Sequence, residues 1–149
     1  MKDKNRLTIN DSPEIGKLRY ETYKGVLSKY KKAMEVGCYL EAITLMESII
    51  FDRLASIVNE INGKDISTKM SFGKLIEKTR DIEFLSPYTE GLKKWKDNRN
   101  SAIHGMAKSL EPGFNEKYNA TKEVAEIGCE LFREVDKAIY KYRHNKYSK

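Results

Sequence analysis

The segment from Arg99 to Gly105, RNSAIHG, places a guanidinium, a carboxamide and one of two histidines within a turn and a half of helix. Those groups suit work on a phosphodiester. Arginine holds phosphate charge at any physiological pH, imidazole moves a proton near neutrality, and an amide orients either one. A string this short recurs by chance, so its weight rests on the elements that carry it.

Those elements are helices throughout. Ser12 and Pro13 give a cap and first-turn signal for a helix running to about Val36, and Gly37 breaks it. A second helix, from about Cys38 to Ile61, carries Ile43, Met46, Ile50, Leu54, Ile57 and Ile61 at spacings of three and four; Asn62 and Gly63 end it. Ser71 caps a short third helix to about Ile82, presenting Phe72, Leu75 and Ile76. Ser86 and Pro87 repeat the cap signal for a fourth helix with Tyr88, Leu92, Trp95, Ala102, Ile103 and Met106 on one arc. After Pro112 and Gly113, a long last helix carries Val124, Ile127, Leu131, Val135, Ala138 and Tyr142 as a bundle seam. The fold class expected is all-α, an antiparallel helical bundle of four main helices plus a short one, forming a single domain over residues 1–149.

Placed on the fourth helix, Arg99 falls in the middle of the apolar arc, at about 100 degrees of rotation per residue. A guanidinium there needs an anionic partner or a wet cleft, because it cannot shed its charge. Glu47 supplies the counterpart, lying in the buried arc of the second helix between Ile43, Ile50 and Leu54. Pairing across the two helices is therefore expected. Asp97, Asn100 and His104 occupy the other side of the fourth helix, with His104 about 140 degrees from Arg99. A site using both must have Gly105 loosen the helix end, the arginine snorkel, or two copies of the helix meet across a dimer axis. Lys96 and Lys108 flank the motif as candidate contacts for an RNA backbone, whereas Trp95 reads as a core residue.

Composition narrows the classes. Charged residues make up 34% and apolar residues 40%, with a net charge of +6 that favours polyanions mildly. The N-terminus, MKDKNRLTIND, carries no apolar signal core and no stretch approaches a membrane span, so a cytoplasmic protein with no membrane association is expected. Cys38 and Cys129 lack metal-ligand spacing and are expected to be reduced and packed as small apolar residues. No glutamate stands three residues before a histidine, and there is no glycine-rich phosphate loop or serine nucleophile elbow. No cofactor and no metal are expected.

The ordered combination of the CYLEAITLMESIIFDRL, SFGKLIEKTRDI and LKKWKDNRNSAIHG segments resembles the HEPN domain. That family carries an arginine, a polar residue and then a histidine late in the penultimate long helix, with an acidic residue facing them from an earlier helix. The resemblance covers about residues 37–142, with Glu47 matching the acidic position. It implies a metal-independent endoribonuclease acting as a homodimer around a shared basic cleft, in many members as a toxin or an anti-phage defence effector. On this chain it implies that His104 is general acid or base for attack of a ribose 2′-hydroxyl. Arg99 would then stabilise phosphorane charge or anchor the motif, Asn100 orient the histidine or bind phosphate, and Glu47 hold the arginine. RNA is the implied substrate, since DNA lacks the nucleophile, and a cognate antitoxin is a possible protein partner. The family also implies an alternative, a non-catalytic module that binds RNA, nucleotide or a protein partner as an immunity or regulatory subunit.

Overall fold

The computed structural model describes residues 13–106, 108 and 112–147. Among the described residues there are five α-helices: α1 (Pro13–Glu35), α2 (Tyr39–Asn62), α3 (Phe72–Lys78), α4 (Thr89–Gly105) and α5 (Phe114–Tyr147). Four are long and α3 is short, as the periodicity indicates. The Ser12 cap lies outside the described residues.

The most apolar helix, α2, forms the centre. Ala42, Ile43, Met46, Ile49, Ile50, Leu54, Ala55, Ile57 and Val58 are all buried along it, a stripe wide enough to be covered from several sides. Consecutive long helices run antiparallel, but α2 and α5 pack directly and in parallel. Their register is read from Tyr39 against Tyr118, Arg53 against Asp136 at 2.8 Å, and Glu60 against Arg143 at 2.8 Å. Along α2 lies α1, pinned by Arg19 to Asp52 at 2.7 Å and reaching α5 through Tyr23 and Tyr30. On the other flank α4 lies along α5 and reaches α2 through Arg99.

Turn chemistry sets the boundaries. Gly37 (φ 78°) and Gly63 (φ 67°) hold left-handed backbone that side chains disfavour, and Gly63 closes α2 by donating to the Glu60 carbonyl. Asn59 then organises the following loop, accepting from the amides of Ile66 and Ser67 and donating to the Ser67 hydroxyl. Ser71 caps α3 by accepting from the Lys74 amide.

Two expected boundaries move. The third helix stops at Lys78 and tightens into a 3-10 turn at Thr79–Asp81, rather than continuing to Ile82. Thr79 is fully buried there; its hydroxyl donates to the Ile76 carbonyl and lies 2.7 Å from the Thr89 hydroxyl, tying the end of α3 to the start of α4. Ser86 and Pro87 belong to a separate 3-10 turn, Ser86–Tyr88. The Ser86 hydroxyl donates back to the Glu83 carbonyl, α4 begins at Thr89, and Tyr88 packs half-buried just before it.

The seam of α5 is broader than its expected line, of which Val135 is buried and Val124, Leu131, Ala138 and Tyr142 pack partly buried against the core. Thr121, Ala125, Gly128, Phe132, Val135 and Ile139 are buried, whereas Ile127 is 37% exposed. The cause is Trp95, whose indole lies over Gly128 and donates from Nε1 to the Val124 carbonyl at 2.8 Å. That docking turns the Gly128 side of α5 inward. Ile61, in the last turn of α2, is likewise exposed. Cys129 is buried as expected, but Cys38 is exposed in the turn before α2 and does not pack as an apolar residue.

Candidate functional site

The rotation of α4 is fixed by what it buries. Leu92 and Trp95 enter the core, and Phe72 of α3 meets the indole edge-on with ring centres 6.3 Å apart. With that face inward, Arg99 one turn later must point at α2. Its Nη2 meets Oε1 of Glu47 at 2.5 Å, with the side chains 16% and 26% exposed. Charge-assisted contact at this length, largely withdrawn from water, is a strong tether between helices. The Arg99 Nε is buried and finds no hydrogen-bond partner among the described residues. Arg99 and Glu47 thus form the pair that their core-facing positions require.

The same rotation turns the rest of the motif outward. Asn100 is half-buried, Asp97 is exposed, and His104 is exposed, its imidazole making no hydrogen bond to another described residue. Because α4 stays helical through Gly105, the glycine does not swing His104 back toward Arg99. Arg99 and His104 therefore keep their separation of about 140 degrees. Within the chain the guanidinium belongs to the α2–α4 interface and the imidazole to the surface. The arrangement offers an unshielded imidazole, able to exchange a proton with a docked ligand, next to an amide on a rigidly held helix.

The two flanking lysines separate. Lys108 is exposed beyond the end of α4. Lys96 turns toward α3, with its ammonium 3.2 Å from the position a Cβ on Gly73 would occupy, and lies 3.8 Å from Asp97. There it joins Lys74, Lys78, Arg80 and Lys93 along a groove between α3 and α4 of about 670 Å³. Sequence reasoning singled out Lys96 and missed the other four. Their signal was present as Lys74 and Lys78 one turn apart and Lys93 and Lys96 at a spacing of three, but which helices would sit side by side was not legible.

A second cleft, of about 390 Å³, lies on the opposite flank between the end of α4 and the start of α5. Asn98, Ser101, Gly105 and Thr121 contribute to it, and neither Arg99 nor His104 does. Among the described residues no three His, Cys, Asp or Glu side chains converge as a metal-ligand set, and no helix is long and apolar enough to cross a membrane. No family model, curated protein or solved structure matches this chain.

Proposed function

We propose that the chain is a metal-independent endoribonuclease of the HEPN type, acting as a homodimer in the cytoplasm, in a toxin or phage-defence role. The observation that carries this reading is the division of labour on α4. Arg99 and Glu47 lock the helix to α2, and Asn100 and His104 are thereby presented outward on one face. Two such faces meeting at a twofold axis bring two imidazoles and two amides into one cleft. One His104 then takes the proton of a ribose 2′-hydroxyl as its oxygen attacks the adjacent phosphorus. The other returns a proton to the departing 5′-oxygen, leaving a 2′,3′-cyclic phosphate. Asn100 orients the imidazole or binds a phosphate oxygen. In this scheme Arg99 is a positioning residue, since its guanidinium is already engaged by Glu47.

A second reading, a non-catalytic module that binds RNA, nucleotide or a protein partner, is favoured by one observation: nothing within the described protomer orients His104. The two readings separate in one experiment. Purified protein is incubated with total RNA in chelator, beside a His104→Ala control. The nuclease reading expects cleavage by the parent alone, cyclic phosphate or its hydrolysis product at the new ends, and no cutting of DNA. Equal products from parent and His104→Ala, or none from either, assign the chain to the binding class. Chelator-sensitive cleavage that leaves 5′-phosphate ends would point to metal-activated water instead.

A further inference from the structure

The groove between α3 and α4 carries more positive charge than its own carboxylates use. Lys74, Lys78, Arg80, Lys93 and Lys96 line it against Glu77 and Asp81. Glu77 is shared between Arg80 at 3.2 Å and Lys93 at 3.6 Å, and Arg80 also reaches Glu90 at 2.8 Å. The Arg80 guanidinium, hydrogen-bonded to Glu77, holds that carboxyl below its ordinary range, so it stays ionised and occupied. Lys74 and Lys78 are exposed and have no ion-pair partner among the described residues, and Lys96 lies 3.8 Å from Asp97, an exposed carboxylate on the same side of α4 as Asn100 and His104.

Position gives this charge a purpose. Along α4, Lys93 and Lys96 lie on the same flank as Asn100 and His104, all four within about 80 degrees of one another. Lys96 stands about 12 Å along the axis from His104. A strand held at the groove can therefore pass the imidazole without crossing the helix. The wall also lacks what reads bases: no aromatic side chain lines it, and its apolar members are Met70 and Ile76. Stacking platforms are the usual device for binding single-strand bases. A groove of ammonium groups without them holds a backbone.

We infer that the α3–α4 groove is a phosphate track for single-stranded RNA, holding the strand by its backbone, without base selection, as it leads to His104. The inference rests on the ribonuclease reading for its ligand, while the groove's charge and position stand independently of it. Binding through such a track is governed by counterion release, with a logarithmic salt slope of about −0.7 per neutralised phosphate for single strands.

The test uses the full chain carrying His104→Ala, so that bound RNA is not consumed, and a labelled unstructured RNA oligonucleotide followed by fluorescence anisotropy across a salt series. Adding Lys74→Ala and Lys78→Ala is expected to weaken binding roughly tenfold at low salt and to make the salt slope shallower by about 1.4. The matched pair Lys29→Ala and Lys32→Ala, exposed on α1, removes the same charge elsewhere and is expected to do markedly less. DNA of the same sequence should bind with the same lysine dependence, because the track does not touch the 2′-hydroxyl. Equal losses from the two pairs would show that affinity follows net charge and overturn the groove. So would an absence of RNA binding at micromolar protein, or equally tight binding of a polyglutamate of matched charge, which would assign the groove to an acidic protein. Cleavage is scored separately, on protein with His104 intact. Loss of lysine dependence with cleavage retained removes only the track, and lysine-dependent binding without cleavage removes only the nuclease reading.

Discussion

Arg99 and Glu47 meet at 2.5 Å across the α2–α4 interface, while His104, five residues further along the same helix, stands exposed on another face. Loss of activity on changing Arg99 therefore has a structural explanation that loss on changing His104 does not. Removing one member of a fully buried pair costs about 3–5 kcal/mol; partial exposure of both groups here lowers the expectation to about 1–3 kcal/mol. Urea unfolding should show Arg99→Gln and Glu47→Gln each destabilised by that amount, with the double variant less destabilised than their sum. Strict additivity would mean that the two side chains do not interact.

The His104→Ala variant should unfold at the same urea midpoint as the parent, to within about 0.5 kcal/mol, as expected for an exposed site. Its cleavage rate should fall by a factor of 100 or more, in keeping with the usual contribution of a general acid or base, roughly 10²–10⁴. Asn100→Ala should lose less. A His104→Ala protein that is unfolded by circular dichroism would move the histidine from chemistry to architecture.

Gly128 leaves room for Trp95. A Cβ built on Gly128 lies 2.7–2.9 Å from three atoms of the indole, whose ring is clamped by Phe72 and by its bond to the Val124 carbonyl. Helix propensity alone would make Gly128→Ala stabilising by about 0.8–1.0 kcal/mol. Overpacking reverses the sign, to a loss of about 1–3 kcal/mol. Trp95 is the only tryptophan in the chain, so its fluorescence reports the change directly: the emission maximum should shift to the red and unfolding should come earlier. A stabilised variant with unchanged emission would show that α5 yields freely.

Assembly is tested by mass. Sedimentation at micromolar concentration should give twice the 17.3 kDa of the chain. Asn100→Glu places a charge beside the proposed twofold axis, where it faces its own image, and should shift the protein toward monomer. A parent that sediments as a strict monomer removes the shared cleft.

Alkaline pH should find the tyrosines between α1 and α5. Burial, more than any charge nearby, raises the Tyr23 and Tyr30 hydroxyls above the ordinary phenol range, and Tyr30 donates to the Ala125 carbonyl. A folded-state value above the unfolded one means the native protein holds its proton longer. The associated stability is complete below about pH 10, the unfolded value, and falls away as pH rises through the folded one. Thermal unfolding from pH 8 to 11 should show a decline that begins near pH 10 and is shallower in Tyr23→Phe/Tyr30→Phe. An identical decline in that variant would place its origin in other groups.

The sequence by itself determined what depends on neighbours along one helix. Ile43, Met46, Ile50 and Leu54 recur on one face, which makes α2 a buried helix wherever it packs. Gly63 ends it because few other residues accept a positive φ. Arg99 and Glu47 were legible as a pair because each is a permanent or strong charge on an apolar arc, and low dielectric leaves few remedies besides mutual contact. Tertiary structure decided the rest. The Ser86–Pro87 signal reads as a helix start, yet α4 begins at Thr89, whose hydroxyl meets that of the buried Thr79. Trp95 selects Gly128 on a helix far away in sequence, and so sets which side of α5 is inside. Lys74 and Lys78 become part of one groove with Lys93 and Lys96 only when α3 lies beside α4. Periodicity specifies the face of each helix, but the partner that covers it is chosen by side-chain shape and charge meeting in three dimensions.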